Sequence, residues 1–445
     1  MNTLPLITGH TLDDCLAWRS DGPVSVREFL ADAQLLAACL PAGDWLLNVC
    51  QDRYLFAVGF AAGLLTGKGS LQPASQSAET LSRIQLDFPG TVCLCDSAFE
   101  SGDLPRLDFP ELHAVDRPHV MEIPSVPADQ VAAILFTSGS TGIPQAHRKS
   151  WGKLVANGLA GAAALALNQR PHTIVGTVPV QHSYGFESTL LLALHGRCSF
   201  WAGKPFYPQD IAATLSAVPQ PRLLVTTPFH LSALLAAEIE LPAIDLLLSA
   251  TAPLSLELAA RAEQRTGAPL HEIYGSTETG QIAVRRTTDG PRWALLPAIR
   301  LRQHEEITFA SGGHIEGEMP MGDRIEIHDD RHFTLLGRHA DLINIAGKRT
   351  SLAYLNHQIA AIPGIVDACF YLPDDERPDG ITRLAAFVVA PALSVRDIQA
   401  ALRSRIDAVF MPRPLVRVAA LPRNPTGKLP RDALQALHRT HTRHD

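Results

Sequence analysis

The sequence predicts an α/β protein with a large N-terminal domain of mixed sheets and helices and a small α+β C-terminal domain. Three observations carry that expectation. Helical and strand-like spacings alternate along the chain. Several apolar runs are short and continuous, as in strands buried on both faces. From His328 onward the pattern changes to short strands and turns. At 445 residues the chain is long for one hydrophobic core. The boundary is expected at Gly337-Arg338, giving domains 1–338 and 339–445.

The elements follow in order. Val24 to Leu40 has helical spacing after a Gly-Pro turn, and Trp45 to Cys50 is strand-like. Leu55 to Leu65 is apolar but too short to span a bilayer, so it reads as a buried helix. Thr91 to Cys95 reads as a strand with Cys93 and Cys95 on one face, as core thiols. Val131 to Phe136, Leu223 to Thr226 and Ile244 to Leu248 read as short buried strands, the last leading into Ser249-Ala250-Thr251-Ala252-Pro253. Parallel strands of this kind place ligands beyond their carboxyl ends. His438, His441 and His444 fall in a polar, charged tail, expected as a solvated end rather than a metal site.

Composition excludes several classes. The chain is 46% hydrophobic with a formal net charge of -7, ordinary for a globular protein. The first residues carry no basic region followed by an apolar core, so a cytoplasmic protein without a membrane span is expected. Seven scattered cysteines with no C-x-x-C pair argue against a metal site. From residue 391 onward ten basic residues face four acidic ones. That excess is either a solvated helical surface or a docking face for an acidic partner. Nucleic acid is not expected as a partner, because the excess is local and no recognition fold accompanies it.

The densest chemistry follows the strand at Val131. Thr137, Ser138, Gly139, Ser140, Thr141 and Gly142 offer hydroxyls and backbone N–H groups, and the two glycines let the backbone approach phosphate oxygens closely. The nucleoside-triphosphatase pattern G-x-x-x-x-G-K-[ST] fails here, since no lysine follows the second glycine. Taken alone, the run could be a Ser/Gly-rich surface turn.

Thr137 to Gln145 resembles the phosphate-binding motif of the adenylate-forming superfamily of acyl-CoA synthetases, aryl-CoA ligases, adenylation domains and luciferases. Four further segments resemble that family's motifs in its order: Tyr274-Gly275-Ser276-Thr277-Glu278-Thr279-Gly280, Met321-Gly322-Asp323, Gly337-Arg338 with Ile345 to Arg349, and Asn424-Pro425-Thr426-Gly427-Lys428. The resemblance implies a carboxylate attacking the α-phosphorus of ATP, with a mobile small domain. It implies Lys428 as the catalytic lysine reaching the carboxylate and α-phosphate, Glu278 as the Mg²⁺ ligand and Thr277 as a donor to the α-phosphate. Tyr274 is implied to lie against adenine, Asp323 to bind the ribose hydroxyls and Arg338 to contact ribose or phosphate. Ala250, Thr251, Ala252, Gly275 and Ser276 complete the implied nucleotide site.

Val178 to Phe186 resembles the family segment that closes over the substrate carboxylate, which makes His182 a candidate gate; a buried structural histidine is the competing reading. Ser183, Tyr184, Thr226, Thr227, Phe229 and His230 are the other candidate acyl-pocket residues. The chain also departs from the family. Gln145 stands where a phosphate-facing lysine is usual, with Arg148 or Lys149 as possible substitutes, and Ala340 followed by Asp341 stands at the hinge. Tyr354 and Asn356 lie where glutamates are usual.

The resemblance implies ATP and Mg²⁺ as cofactors and a phosphopantetheine thiol as acceptor. The expected function is a stand-alone acyl- or aryl-AMP ligase that loads an acyl carrier protein, similar to those of aryl polyene and xanthomonadin-type pigment pathways, on a small acid such as a hydroxybenzoate. A ligase using free coenzyme A is the alternative, and a non-catalytic nucleotide binder the second alternative.

Overall fold

In the computed structural model all residues are described except 1, 74–75, 112–116, 138–144, 306, 339–341, 346–347, 374–382, 425–426 and 443–445. Packing divides the chain into two units. The first comprises Met1–Arg302, Phe309–Met319 and Asp330–His332; the second comprises Gln303–Thr308, Pro320–Asp329 and Phe333–Asp445. Packing thus groups the strand Asp323–Ile327, which precedes the division that the motifs draw at Arg338, with the second unit.

The first unit is built on two sheets. One runs, among the described strands, in the order Gln145–Ser150, Val131–Thr137, Gly69–Gln72, Trp45–Asn48, Val92–Cys95 and Arg106–Asp108. All neighbours are parallel except the hairpin of Val131–Thr137 with Gln145–Ser150. Cys93 and Cys95 are buried on one face with their sulfurs 3.6 Å apart. The other sheet carries parallel strands Leu270–Ser276, Leu246–Ser249, Arg222–Thr226, Thr173–Gly176, Ser199–Trp201 and Cys15–Arg19. Antiparallel partners Gly280–Arg286 and Gly22–Ser25 extend it on its two sides. The expected helix from Val24 starts two residues later, at Val26–Cys39, because Ser25 forms a capping box with Glu28 and the residues before it complete a strand.

The apolar run predicted as a buried helix is Arg53–Leu65, capped by Asp52. It is apolar all round, and such a helix has to be buried. Its first residue, Arg53, is buried, and among the described residues its guanidinium bonds to carbonyls rather than to a carboxylate. Its Nη1 donates to the carbonyls of Trp201 and Gly203, both at 2.8 Å, and its Nη2 to those of Gly176 at 3.1 Å and Val178 at 2.9 Å. Burial pushes its pKa down to about 10.

The second unit centres on a sheet in which Ala385–Val389 pairs antiparallel with Asp367–Tyr371 and parallel with Leu415–Arg417. Period-two alternation gives it two apolar faces. Ala386 and Val388 pack with Leu355, Ile359, Ile398 and Leu402, while Ala385 and Phe387 pack with Cys369, Leu421 and Leu434. Leu434 lies on the helix Arg431–Thr442, which corrects the expected solvated tail. Leu434 and Leu437, one turn apart, bury a side of an otherwise polar helix, and His438 sets its ring 5.5 Å from that of Tyr371. His441 is exposed, and His444 lies outside the described residues. Among the described residues no helix is long and apolar enough to cross a membrane.

Candidate functional site

The carboxyl ends of the parallel strands in the first unit carry most of the candidate residues. Leu270–Ser276 turns back into Gly280–Arg286, so that the residues between form a tight hairpin end. Ser276 N–H donates to the hydroxyl of Thr279 at 3.1 Å, and that hydroxyl donates to the carbonyl of Gly280 at 2.8 Å. Gly275 is required here, because a β-carbon would collide with the carbonyl oxygen of Gly280. This knot leaves Thr277 and Glu278 as the projecting residues, the Glu278 side chain one-third exposed.

The candidate acyl segment meets that turn. His182 begins a short helix that passes through a π-helical stretch, Phe186–Leu191, before ending at His195. π-Helical turns are frequent at functional sites. Ser183 Oγ lies 3.5 Å from Thr277 Oγ1, which joins an acyl-segment residue to a nucleotide-segment residue. Glu187, buried in the π stretch, accepts from the backbone of Gln281 at 2.9 Å, fixing the same hairpin from below. Burial raises its pKa, opposed by Lys149.

Other candidates divide by how committed their polar atoms are. The Tyr184 hydroxyl lies 3.0 Å from the carbonyls of both Thr226 and Leu248, bridging two strand ends, so its polar tip belongs to the scaffold. Thr227 caps the helix Pro228–Ala236, accepting from the backbone of His230 at 3.3 Å. Its hydroxyl and that of Thr177 each lie 3.1 Å from Nδ1 of buried His230. Burial pushes the His230 pKa down to about 4. Phe229 is 43% exposed, with its ring against His230. Tyr274 packs its ring 5.5 Å from that of Trp293. Ala250 is buried, and Thr251 follows it with φ +80°, a left-handed backbone that β-branched residues rarely adopt and that concentrates at functional sites.

The strand leaving the phosphate-loop segment contributes residues that sequence reasoning passed over or left open. Ser138 to Gly142 lie outside the described residues, but the flanking hairpin is described. His147 places Nε2 3.1 Å from Thr137 Oγ1 and 3.8 Å from Glu278 Oε1. Two residues on, Lys149 is buried with its ammonium 2.5 Å from the backbone carbonyl of Glu278. Of the two possible substitutes for the missing lysine, Lys149 therefore faces the site region and Arg148 is exposed. The strand alternation of Gln145, His147 and Lys149 was the available signal.

In the second unit, Asp323 and Arg338 stand directly opposite each other in one antiparallel hairpin. Lys428 is exposed beyond Gly427, which adopts φ +78°. Its turn is closed by Asn424, whose side chain accepts from the Lys428 N–H at 2.9 Å and whose own N–H donates to the Lys428 carbonyl at 2.8 Å. Arg423 braces this turn, donating to the Gly427 carbonyl at 2.6 Å and to both oxygens of Asp367 at 2.7 Å. The position expected to carry a glutamate holds Asn356, whose carboxamide accepts from Phe370 N–H at 2.6 Å.

Among the described residues no three His, Cys, Asp or Glu side chains gather as a metal cage. The single projecting carboxylate of Glu278 fits a Mg²⁺ ion held mainly by phosphate oxygens and water, the usual habit of that cation.

A model of the family described as AMP-binding enzyme matches residues 44–307. The 4-coumarate–CoA ligase of Rhodobacter capsulatus is 30% identical over 291 residues, 63% of this chain and 69% of that protein. The 2-succinylbenzoate–CoA ligase of Bacillus velezensis is 24% identical over 443 residues, 92% of this chain and 88% of that protein. The fold is similar to that of o-succinylbenzoate coenzyme A synthetase from Bacillus subtilis, solved in complex with ATP and a magnesium ion. The TM-score is 0.79 at 19% identity, covering 94% of this chain and 96% of that one.

Proposed function

The chain belongs to the AMP-binding enzyme family, and from that premise we propose that it activates an aryl carboxylic acid as the acyl adenylate and passes the acyl group to the thiol of coenzyme A. As a family member it is an ATP-dependent, AMP-forming acid–thiol ligase. In the first step a carboxylate oxygen bonds to the α-phosphorus and the bond to pyrophosphate breaks; in the second the thiol sulfur bonds to the acyl carbon and AMP leaves.

One observation carries the reading: Ser183 of the acyl segment and Thr277 of the nucleotide turn lie 3.5 Å apart, so an acid and an α-phosphate can be presented to each other there. Both reacting groups are anionic, and their approach needs donors and cations. Thr277 and Thr137 supply hydroxyls, Glu278 would hold the Mg²⁺ that offsets phosphate charge, and Lys428 is proposed as the mobile cation. Coenzyme A as acceptor is supported by the two sequence relatives, both of them CoA ligases. An aryl acid such as a hydroxybenzoate is supported by the likeness to 4-coumarate–CoA ligases.

A carrier protein is the second reading, favoured by the exposure of Arg403, Arg405, Arg413 and Arg417. A pyrophosphate-release screen over carboxylic acids, run with coenzyme A and with a phosphopantetheinylated carrier protein, tests both. Release with aryl acids and thioester on coenzyme A is the expected result. Preference for the carrier protein replaces the acceptor, and no release with any acid defeats the reading.

A further inference from the structure

His147 stands at the junction of two elements that carry phosphate-site residues. Its ring is on the strand Gln145–Ser150, its first neighbour is Thr137 at the end of the adjacent strand, and its second is Glu278 at the hairpin turn of the other sheet. Only 15% of its side chain is exposed. A single atom, Nε2, faces both neighbours, at 3.1 Å from the Thr137 hydroxyl and 3.8 Å from the Glu278 carboxylate.

That geometry selects a tautomer. A bare Nε2 lone pair would face the negative carboxylate, so the proton belongs on Nε2. With Nε2–H as donor, the Thr137 oxygen accepts, and the Thr137 hydroxyl proton must turn away from the ring. It is then free to donate to another acceptor, while the same N–H steadies the Glu278 carboxylate electrostatically. Glu278 is also held through its main chain by Lys149, one strand residue pair further along. Backbone and side chain of the same glutamate are thus fixed by alternate residues of one strand.

We propose that His147 is a positioning residue of the nucleotide site, one that aims the Thr137 hydroxyl at a phosphate oxygen and presents the Glu278 carboxylate to the Mg²⁺ of the bound nucleotide. It works as a donor through Nε2, which faces both the Thr137 hydroxyl and the Glu278 carboxylate. The proposal rests on the reading of Glu278 as the metal-holding carboxylate.

The test compares His147→Val, which removes the donor, His147→Gln, whose amide restores one near the Nε2 position, and Glu278→Gln. Calorimetric titration gives the Kd for MgATP and the Mg²⁺ concentration needed for half-maximal ATP binding; thermal melts give stability. Removing a group that orients a metal-binding side chain costs about tenfold or more in metal affinity. His147→Val is expected to raise both binding quantities about tenfold, with His147→Gln close to wild type and all melts unchanged. Wild-type binding by His147→Val, while Glu278→Gln loses it, overturns the proposal. A lowered melt that His147→Gln does not repair, with binding intact, also overturns it and leaves a hairpin-closing role. If Glu278→Gln itself keeps a wild-type Mg²⁺ requirement, the metal reading of Glu278 fails, and the proposal falls for that separate reason.

Discussion

The ammonium of Lys149 donates to the backbone carbonyl of Glu278 across 2.5 Å of space and 129 residues of chain. The same cation is felt by Glu187, Glu316 and Glu278, while burial pushes its pKa down. Glu187 is in the mirror position, with a pKa raised by burial and lowered by Lys149. Each buried charge therefore depends on the other. Together they support the turn from which Glu278 projects.

Lys149→Met should remove the charged hydrogen bond to the Glu278 carbonyl and the cation that opposes the desolvation of Glu187, at a cost of about 1.5 to 3 kcal/mol. Glu187→Gln in that background should recover at least about 1 kcal/mol, because the two losses share one interaction. Urea unfolding of the four variants closes the cycle. Strictly additive losses would show that the two charges do not support each other.

Lys428→Ala should slow acyl-adenylate formation by about 10² to 10³, the scale for losing one group that acts on developing charge. ATP affinity and folding should hardly change. The turn is secured without the lysine side chain, by Asn424 and by the Arg423–Asp367 pair. Single-turnover pyrophosphate release alongside ATP titration checks this, and release at the wild-type rate would remove Lys428 from the chemistry.

His195 is buried with Nδ1 2.9 Å from Thr8 Oγ1, and burial pushes its pKa down from 6.5 to about 3. The unfolded chain therefore binds a proton that the folded chain refuses between those values. Stability contributed by the neutral ring is complete above pH 6.5 and is lost progressively as pH falls toward 3. The slope is about 1.4 kcal/mol per pH unit for one proton. His195→Phe should flatten the pH dependence of unfolding by roughly that slope in this window. An unchanged slope between pH 4 and 6 would mean that His195 becomes protonated in the folded protein.

Reversing Arg403 and Arg405 to glutamate should slow transfer to an acidic carrier protein more than transfer to coenzyme A, and should spare adenylation, because exposed charges chiefly steer encounter. The difference should shrink with added salt, as screening acts over about 8 to 10 Å. Equal rates on both acceptors before and after reversal would leave these arginines as a solvated surface.

The parts legible in sequence are those whose chemistry is local. The strand Val131–Thr137 announces itself by an unbroken apolar run, and the turn at Gly275 to Gly280 by small residues that only close backbone approach requires. The role of His147 is not local, since it depends on a hairpin register and on a second sheet bringing Glu278 alongside. The π-helical stretch Phe186–Leu191 leaves no mark in residue spacing: three polar residues stand in a row within it, and Glu187 meets its partner Gln281 only through the fold. The helix Arg431–Thr442 was obscured by polar composition, because two leucines suffice to dock it. Tyr184 and Thr227 show the opposite limit: their side chains suit a pocket, yet their polar atoms are already used by the strand ends and helix start beside it.

Arg53 has a consequence for how the first unit comes apart. Its guanidinium ties the start of one helix, which packs beneath one sheet, to four carbonyls at the strand ends of the other. Neither sheet can release its edge of this clasp without leaving a buried cation or buried carbonyls unmatched, so partial unfolding of one sheet alone is penalised from both directions. The first unit should therefore melt cooperatively, with both sheets losing amide-exchange protection together. Arg53→Lys, which offers a point charge in place of the planar fork, should uncouple them into separately exchanging blocks.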